Sequence, residues 1–232
     1  MNIEESKITK NDLKRDIESI GVKRGDVLHI KVSMKSIGNI EGGAETLLDA
    51  ILEVLGEEGT LVSDAFIKAF PLPLKGNERN IIPNDKTKSY AGAFANTMIK
   101  HPESYRSQHP IQKFSAIGAM AKQLCENHTP ESAGYELLDD MAKLDAKNLT
   151  IGGKVVGVGT THVAIDKLGF KRKEINKGIN YKDSKGEIKL CKIDWSGGCG
   201  RGFPNFYPLY RKYGGIIKEG KIGQANSILT SM

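Results

Sequence analysis

The sequence predicts an α/β fold in which a central mixed sheet is flanked by helices. Two apolar, β-prone runs at 27–32 and 60–66 enclose a stretch with helical spacing at 44–55, in the order strand, loop, helix, strand. That order is typical of a sheet covered by helices. The 232 residues, with 39% hydrophobic and 27% charged side chains, suit a globular protein with a substantial core. We therefore expect a single domain over residues 1–232.

Local signals predict the remaining elements. Thr9 can cap the first helix with Asp12 at the favourable third position, and Gly21 can end it. Prolines and asparagines favour a surface loop at 70–85. A hairpin at 175–195 is expected to turn at Ser184-Lys185-Gly186, within a basic and glycine-rich insertion at 170–200. Helical patterns cover 91–99, 115–126 and 205–213, and an apolar strand region covers 149–159.

Several classes of protein are not expected. Three cysteines without a CxxC pair give no basis for a disulfide framework or a zinc site, and we expect no metal. No apolar run has the length of a membrane span, and the first ten residues do not resemble a signal peptide, so we expect a cytoplasmic protein with no membrane partner. No P-loop motif occurs, and His162 stands where a dinucleotide fingerprint needs its third glycine.

Positive charge is concentrated in one segment. Residues 171–192 contain eight basic and three acidic side chains, which account for +5 of the net +6. This charge favours an anionic ligand or partner, although a solvated lysine-rich hairpin is an equal alternative. A non-catalytic module that binds anions or nucleic acid through this segment is the rival class. Only Tyr181 is interleaved as an aromatic residue, so we expect no nucleic-acid partner.

Four stretches hold residues suited to chemistry. The glycine-containing loop after the first strand carries Lys35, and free backbone N–H groups in such loops can hold phosphate oxygens. A second stretch brings together Arg106, His109 and Lys113 on a loop expected to enter a helix. In the third, His162 follows a glycine-interrupted strand, where ligands of α/β sheets gather. The fourth, at 193–202, holds Asp194 and Cys199 among four glycines. Each alone is also compatible with a purely structural role.

Together these stretches resemble the aminoglycoside 3-N-acetyltransferase family, from about residue 10 to 230. The order and spacing of the segments carry the resemblance more than any one motif. The segments are Ser33-Met-Lys-Ser-Ile-Gly38, Glu41-Gly-Gly-Ala44, Gly59-Thr-Leu-Val62, Arg106-Ser107 with His109-Pro110, Val156-Gly-Val-Gly159 with Thr161-His162, and Ile222-Gly-Gln-Ala225.

The resemblance implies an N-acetyltransferase that moves an acetyl group from acetyl-coenzyme A to an amine. His162 would be the base that takes a proton from the acceptor, and Asp194 is our candidate for the acid that orients it. We expect Glu41, Asp64 and Phe66 to contact the acceptor. The residues expected to contact coenzyme A are Lys31, Val32, Ser33, Met34, Lys35, Ser36, Arg106, Ser107 and His109.

Departures from the family pattern leave the acceptor open. Only Thr160 and Thr161 separate Gly159 from His162, where the family has a longer stretch, so an inactive scaffold is a third interpretation. Aminoglycosides are polycations, and the basic 171–192 segment fits an anionic acceptor such as a nucleotide-linked amino sugar better. The partner is therefore expected to be a small amine, with a homodimer among the oligomeric states that the sequence allows.

Overall fold

The computed structural model describes residues 7–152, 159–169, 176–193 and 206–232, and it confirms a large mixed sheet flanked by helices. The helices are α1 (Lys10–Ile20), α2 (Met34–Ile37), α3 (Gly43–Leu55), α4 (Ala93–Lys100), α5 (Ala121–Asn127), α6 (Glu136–Ala142), α7 (Thr160–Lys167) and α8 (Phe206–Lys212). The strands are β1 (Val27–Val32), β2 (Thr60–Asp64), β3 (Phe70–Pro71), β4 (Tyr105–Arg106), β5 (Phe114–Gly118), β6 (Lys147–Ile151), β7 (Lys177–Lys182), β8 (Ile188–Lys192), β9 (Ile217–Ile222) and β10 (Ala225–Ser231).

The main sheet has seven strands in the order β4-β5-β2-β1-β6-β10-β9. The central strand β1 is parallel to both neighbours, β2 and β6. The outer pairings are antiparallel. The carboxyl ends of three adjacent strands therefore meet at one edge of the sheet, which is where α/β proteins place ligands.

The first helix forms as its sequence predicts. The Thr9 hydroxyl accepts a hydrogen bond from the backbone N–H of Asp12, and the Asp12 carboxylate accepts one from the backbone N–H of Thr9. Gly21 ends the helix in the left-handed region, at a φ of 107°. The apolar face of α1 is fully buried against α3, and the central strands complete this core. The capping residues and the packing of its apolar face therefore both favour a helix at α1.

The prediction of a single helix at 115–126 is wrong. Strand β5 occupies its first part and α5 its second, because Phe114–Gly118 pairs along the whole length of β2. Gly118 ends the strand at a φ of 114°, and a Cβ there would overlap the carbonyl oxygen of Gly59. The stretch from Arg106 to Lys113 consequently leads into a strand and not into a helix.

A smaller sheet joins β3, β7 and β8. The residues expected to form a surface loop at 70–85 include β3 and a 3-10 helix at Gly76–Asn80, so that expectation was incomplete. Strands β7 and β8 are an antiparallel pair joined by a turn in which the Asp183 carboxylate accepts from the N–H groups of Lys185 and Glu187. The basic residues at 171–173 lie outside the described part of the chain. Within the described part, we find no helix with the length and apolarity that a bilayer crossing requires.

Candidate functional site

A cavity of about 360 Å³ opens at the carboxyl ends of β1, β2 and β6. It is called the strand-end cavity below. Strand ends form one wall, and the aromatic and small residues of the 90–95 region form another. The lining residues are Ile30, Lys31, Val32, Ser33, Ser63, Asp64, Phe66, Tyr90, Ala91, Phe94, Ala95, Thr150 and Gly152.

Asp64, the last residue of β2, is the acid of this cavity. Its Oδ1 lies 2.9 Å from Nε2 of His29, and its Oδ2 lies 3.7 Å from Nζ of Lys31. Burial alone would raise the pKa of Asp64. The positive charges of Lys31, His29 and His162 outweigh that effect and hold the pKa of Asp64 below its ordinary value. The cavity therefore contains an ionised carboxylate next to an ammonium group.

His29 links Asp64 to the next strand. Its ring is fully buried in the centre of the sheet, and Nδ1 lies 2.8 Å from Oδ1 of Asn148 on β6. Both ring nitrogens thus face side-chain oxygen atoms. Two N–H donors satisfy this arrangement, and a neutral ring would instead require the amide of Asn148 to turn and present its NH₂ group. In either state the pair holds the Asp64 carboxylate in one position.

His162 lies in the first turn of α7, with 8% of its surface exposed. Its ring stacks on Tyr135 at a centroid distance of 4.4 Å, and Tyr135 meets the edge of Phe66 at 5.9 Å. A positive charge on His162 adds a small contribution to the lowering of the Asp64 pKa, after those of Lys31 and His29. Gly159 permits this approach, because a Cβ there would collide with Leu138 and contact the His29 ring. The structure therefore brings three expected site residues together: His162, Asp64 and Phe66.

The 31–36 segment is divided among several environments. Lys31, Val32 and Ser33 line the strand-end cavity, whereas Met34 packs on the core. The hydroxyls of Ser33 and Ser36 are hydrogen-bonded to each other at 2.8 Å, and Lys35 is exposed. Glu41 is also exposed, at the turn before α3, and is not among the cavity-lining residues.

The side chain of Arg106 is hydrogen-bonded to backbone carbonyl groups. Its guanidinium donates to the carbonyl oxygens of Asn84, Asp85 and Thr87 and to that of Ala65. Burial lowers its pKa to about 10. These bonds join the 84–87 loop to Ala65, the residue that follows β2.

Ser107 and His109 belong to a separate buried cluster. The Ser107 hydroxyl accepts from the N–H of Phe114 and lies 3.1 Å from Nδ1 of His128. The rings of His109 and His128 are stacked at 5.2 Å. Gln108, Pro110 and Lys113 border a second cavity of about 670 Å³, whose other walls are the 82–85 and 129–131 loops and the 181–184 part of the hairpin. The structure thus places the two expected coenzyme segments in different surroundings.

The acid expected to orient His162, Asp194, lies outside the described residues, as do Gly157 and Cys199. Sequence reasoning missed His29, Asn148 and Tyr135, which the structure places between or against the expected site residues. A signal existed for one of them. His29 is a titratable side chain within an otherwise apolar strand, and such a residue needs a polar partner when the strand is buried.

Comparison with known proteins decides the family. A sequence profile described as aminoglycoside 3-N-acetyltransferase matches residues 30–232. The chain belongs to this family.

Curated members of the aminoglycoside 3-N-acetyltransferase family resemble part of the chain. Aminoglycoside N(3)-acetyltransferase III from Salmonella sp. is 28% identical over 173 residues, covering 67% of this chain and 59% of that protein. Aminoglycoside N(3)-acetyltransferase VII from Streptomyces paromomycinus is 30% identical over 174 residues, covering 69% and 59%. The matched region therefore spans somewhat less than two thirds of these relatives' length.

Solved structures share the fold over nearly the whole chain. A structure of AAC-IIIb in a binary complex with CoASH superposes with a TM-score of 0.82 at 21% identity, covering 97% of this chain and 92% of that one. The YokD protein from Bacillus subtilis gives a TM-score of 0.84 at 23% identity, with coverages of 97% and 89%. AAC-VIa bound to sisomicin gives 0.76 at 20% identity, with coverages of 97% and 92%. These similarities establish a common architecture.

Proposed function

We propose that this protein is an acetyl-coenzyme A-dependent N-acetyltransferase whose acceptor is an amine of an aminoglycoside or a related amino sugar. The observation that carries the proposal is an ionised Asp64 in the cavity at the carboxyl ends of parallel strands, with the His162 ring linked through Tyr135 to Phe66 of the same cavity. Membership of the aminoglycoside 3-N-acetyltransferase family supplies the reaction type. It gives no support to a nucleotide-linked amino sugar as acceptor, nor does it favour the non-catalytic binding module.

In the proposed reaction His162 is the general base. A protonated amine has no lone pair for attack, so the imidazole first accepts a proton from the bound ammonium group. The freed nitrogen then forms a bond to the acetyl carbonyl carbon while the carbon–sulfur bond breaks. The imidazolium returns its proton to the departing sulfur, and the nitrogen releases its second proton to solvent as the neutral amide forms, so no acyl-enzyme is required. The negative charge of Asp64 stabilises the positive charge that His162 gains in between.

Coenzyme A would supply the thioester and the thiol leaving group. In the 31–36 segment, Lys35 offers an exposed ammonium, and the hydroxyls of Ser33 and Ser36 can exchange their mutual bond for bonds to a ligand. Arg106 and His109 are occupied by contacts within the protein, and we propose that they do not hold phosphate directly. The chemistry of the 31–36 segment is therefore compatible with an anionic cosubstrate.

Release of free thiol from acetyl-coenzyme A tests the proposal. Purified protein is mixed with acetyl-coenzyme A and a panel of amines that includes sisomicin and glucosamine. We expect thiol release with at least one amine. We also expect His162→Ala to lower the rate by about 10²–10⁴-fold, which is the contribution of a positioned base. His101→Ala is the control, because His101 lies at the end of α4 and outside the site.

Two results would contradict parts of this proposal. If His162→Ala retains turnover within a few-fold of the unchanged protein, His162 is not the base. If calorimetry detects acetyl-coenzyme A binding but no amine gives thiol release, the chain is an inactive scaffold of the family.

A further inference from the structure

Charged side chains are few in the lining of the strand-end cavity. Among the described residues that line it, the charged side chains are Lys31 and Asp64, one of each sign. Their groups are 3.7 Å apart, and the other oxygen of the carboxylate is bonded to His29. The carboxylate that could attract a cationic acceptor is therefore already compensated by the protein's own cation.

Lys31 is the more accessible member of the pair. Its side chain is 35% exposed, whereas that of Asp64 is 13% exposed. It projects from β1, the strand directly next to β2 in parallel register. A ligand entering the cavity consequently meets an ammonium group before it can pair with the carboxylate. For a ligand that carries several ammonium groups, this contact is repulsive.

We propose that Lys31 determines acceptor specificity by acting as a built-in counter-ion of Asp64, which selects amines of low positive charge over polycations. This inference rests on the proposed function, and within it narrows the favoured acceptor from a polycationic aminoglycoside to a related amino sugar of low charge. An acceptor with a single ammonium group loses its proton to become the nucleophile, so it needs no lasting partner. A polycation keeps its other charges and has to displace Lys31 from Asp64.

Binding measurements test the role of Lys31 without requiring turnover. Calorimetry at low ionic strength gives the dissociation constants of sisomicin, a polycation, and of glucosamine, which carries one ammonium group. Lys31→Met frees the carboxylate, so we expect sisomicin to bind about tenfold or more tightly. Glucosamine should change by about threefold or less, because a single charge gains less from the removal.

Matched variants separate the pairing from a general change in charge or fold. Lys31→Arg keeps the cation and should retain the original preference. Lys100→Met removes the same charge from the exposed end of α4 and should leave both affinities unchanged. The double variant with Asp64→Asn removes the freed carboxylate and should lose the gain. Titration of Lys31→Met with acetyl-coenzyme A shows separately whether the substitution changes the affinity for the cosubstrate.

The proposal is overturned if Lys31→Met binds sisomicin no more tightly than the unchanged protein, or if the gain persists in the double variant. Absence of binding of both amines to the unchanged protein and to Lys31→Met also overturns it. Failure of the proposed function has a different signature. In that case the unchanged protein binds amines but releases no thiol, and the comparison between Lys31 variants still decides the selectivity.

Discussion

The stacked pair of His109 and His128 should make the fold sensitive to mild acid. Both rings are buried, with 4% and 1% of their surface exposed. Nδ1 of His109 accepts hydrogen bonds from the N–H groups of Ile111 and Gln112, so a proton cannot be added there without losing both. Burial, to which the nearby His128 and Lys113 add, lowers the pKa of His109 to about 3. Burial likewise lowers the pKa of His128 to about 4.

The sign and size of the effect follow from linkage. Both rings bind protons more readily in the unfolded chain, where a histidine pKa is about 6.5, so the folded state loses stability as the pH falls below that value. The contribution is fully present above about pH 6.5. Between pH 7 and pH 5, each ring contributes a loss of about 2 kcal/mol, or about 4 kcal/mol for the pair. Ordinary carboxylates titrate mainly below this window.

Urea unfolding followed by circular dichroism, at several pH values and constant ionic strength, measures this slope. His109→Asn keeps an acceptor oxygen for the two N–H groups but cannot take up a proton, so the loss between pH 7 and pH 5 should fall to about 2 kcal/mol. His101→Asn, at the end of α4, should leave the slope unchanged. The reasoning is refuted if the unchanged protein loses less than about 1 kcal/mol over this range, or if His109→Asn retains the full slope.

Three further substitutions test the packing and capping. Phe114→Ala removes a fully buried ring that contacts those of His29, Phe66 and His128, and calorimetric unfolding should show a loss of about 3–5 kcal/mol. A loss below about 1 kcal/mol would contradict the packing described. Arg106→Ala leaves four carbonyl groups without their donor, so urea unfolding should show a loss of about 2–4 kcal/mol, and limited proteolysis should reveal faster cleavage at 84–87. An unchanged cleavage rate would show that the loop does not depend on this arginine. Thr9→Ala removes the α1 cap and should cost about 1 kcal/mol in urea unfolding.

Elements encoded by local signals could be predicted from the sequence. Helix α1 has its cap, its apolar face and its terminal glycine within thirteen residues. The 115–126 stretch was assigned incorrectly because its first five residues are apolar or small and fit either structure. Pairing with β2, fifty or more residues earlier in the chain, decides in favour of a strand.

The candidate site could be predicted only in part. Lys31 and Asp64 were recognisable as polar residues at strand ends, but their pairing depends on β1 and β2 being adjacent and parallel. The role of His29 could not be found from its neighbours in sequence, since its partners are 35 and 119 residues away. Local patterns identify which side chains are available, and the topology of the sheet determines which of them meet.

The central parallel pairing of the main sheet also has a kinetic consequence. The bond between His29 and Asn148 joins residues 119 positions apart, and β1 can pair with β6 only after the intervening chain has closed a long loop. Closure of such loops is entropically unfavourable, and topologies with distant contacts fold slowly. Helix α1 can form early from local contacts, whereas the histidine and asparagine come together only when the two halves of the sheet dock. We therefore expect the polar centre of the protein to be assembled late in folding.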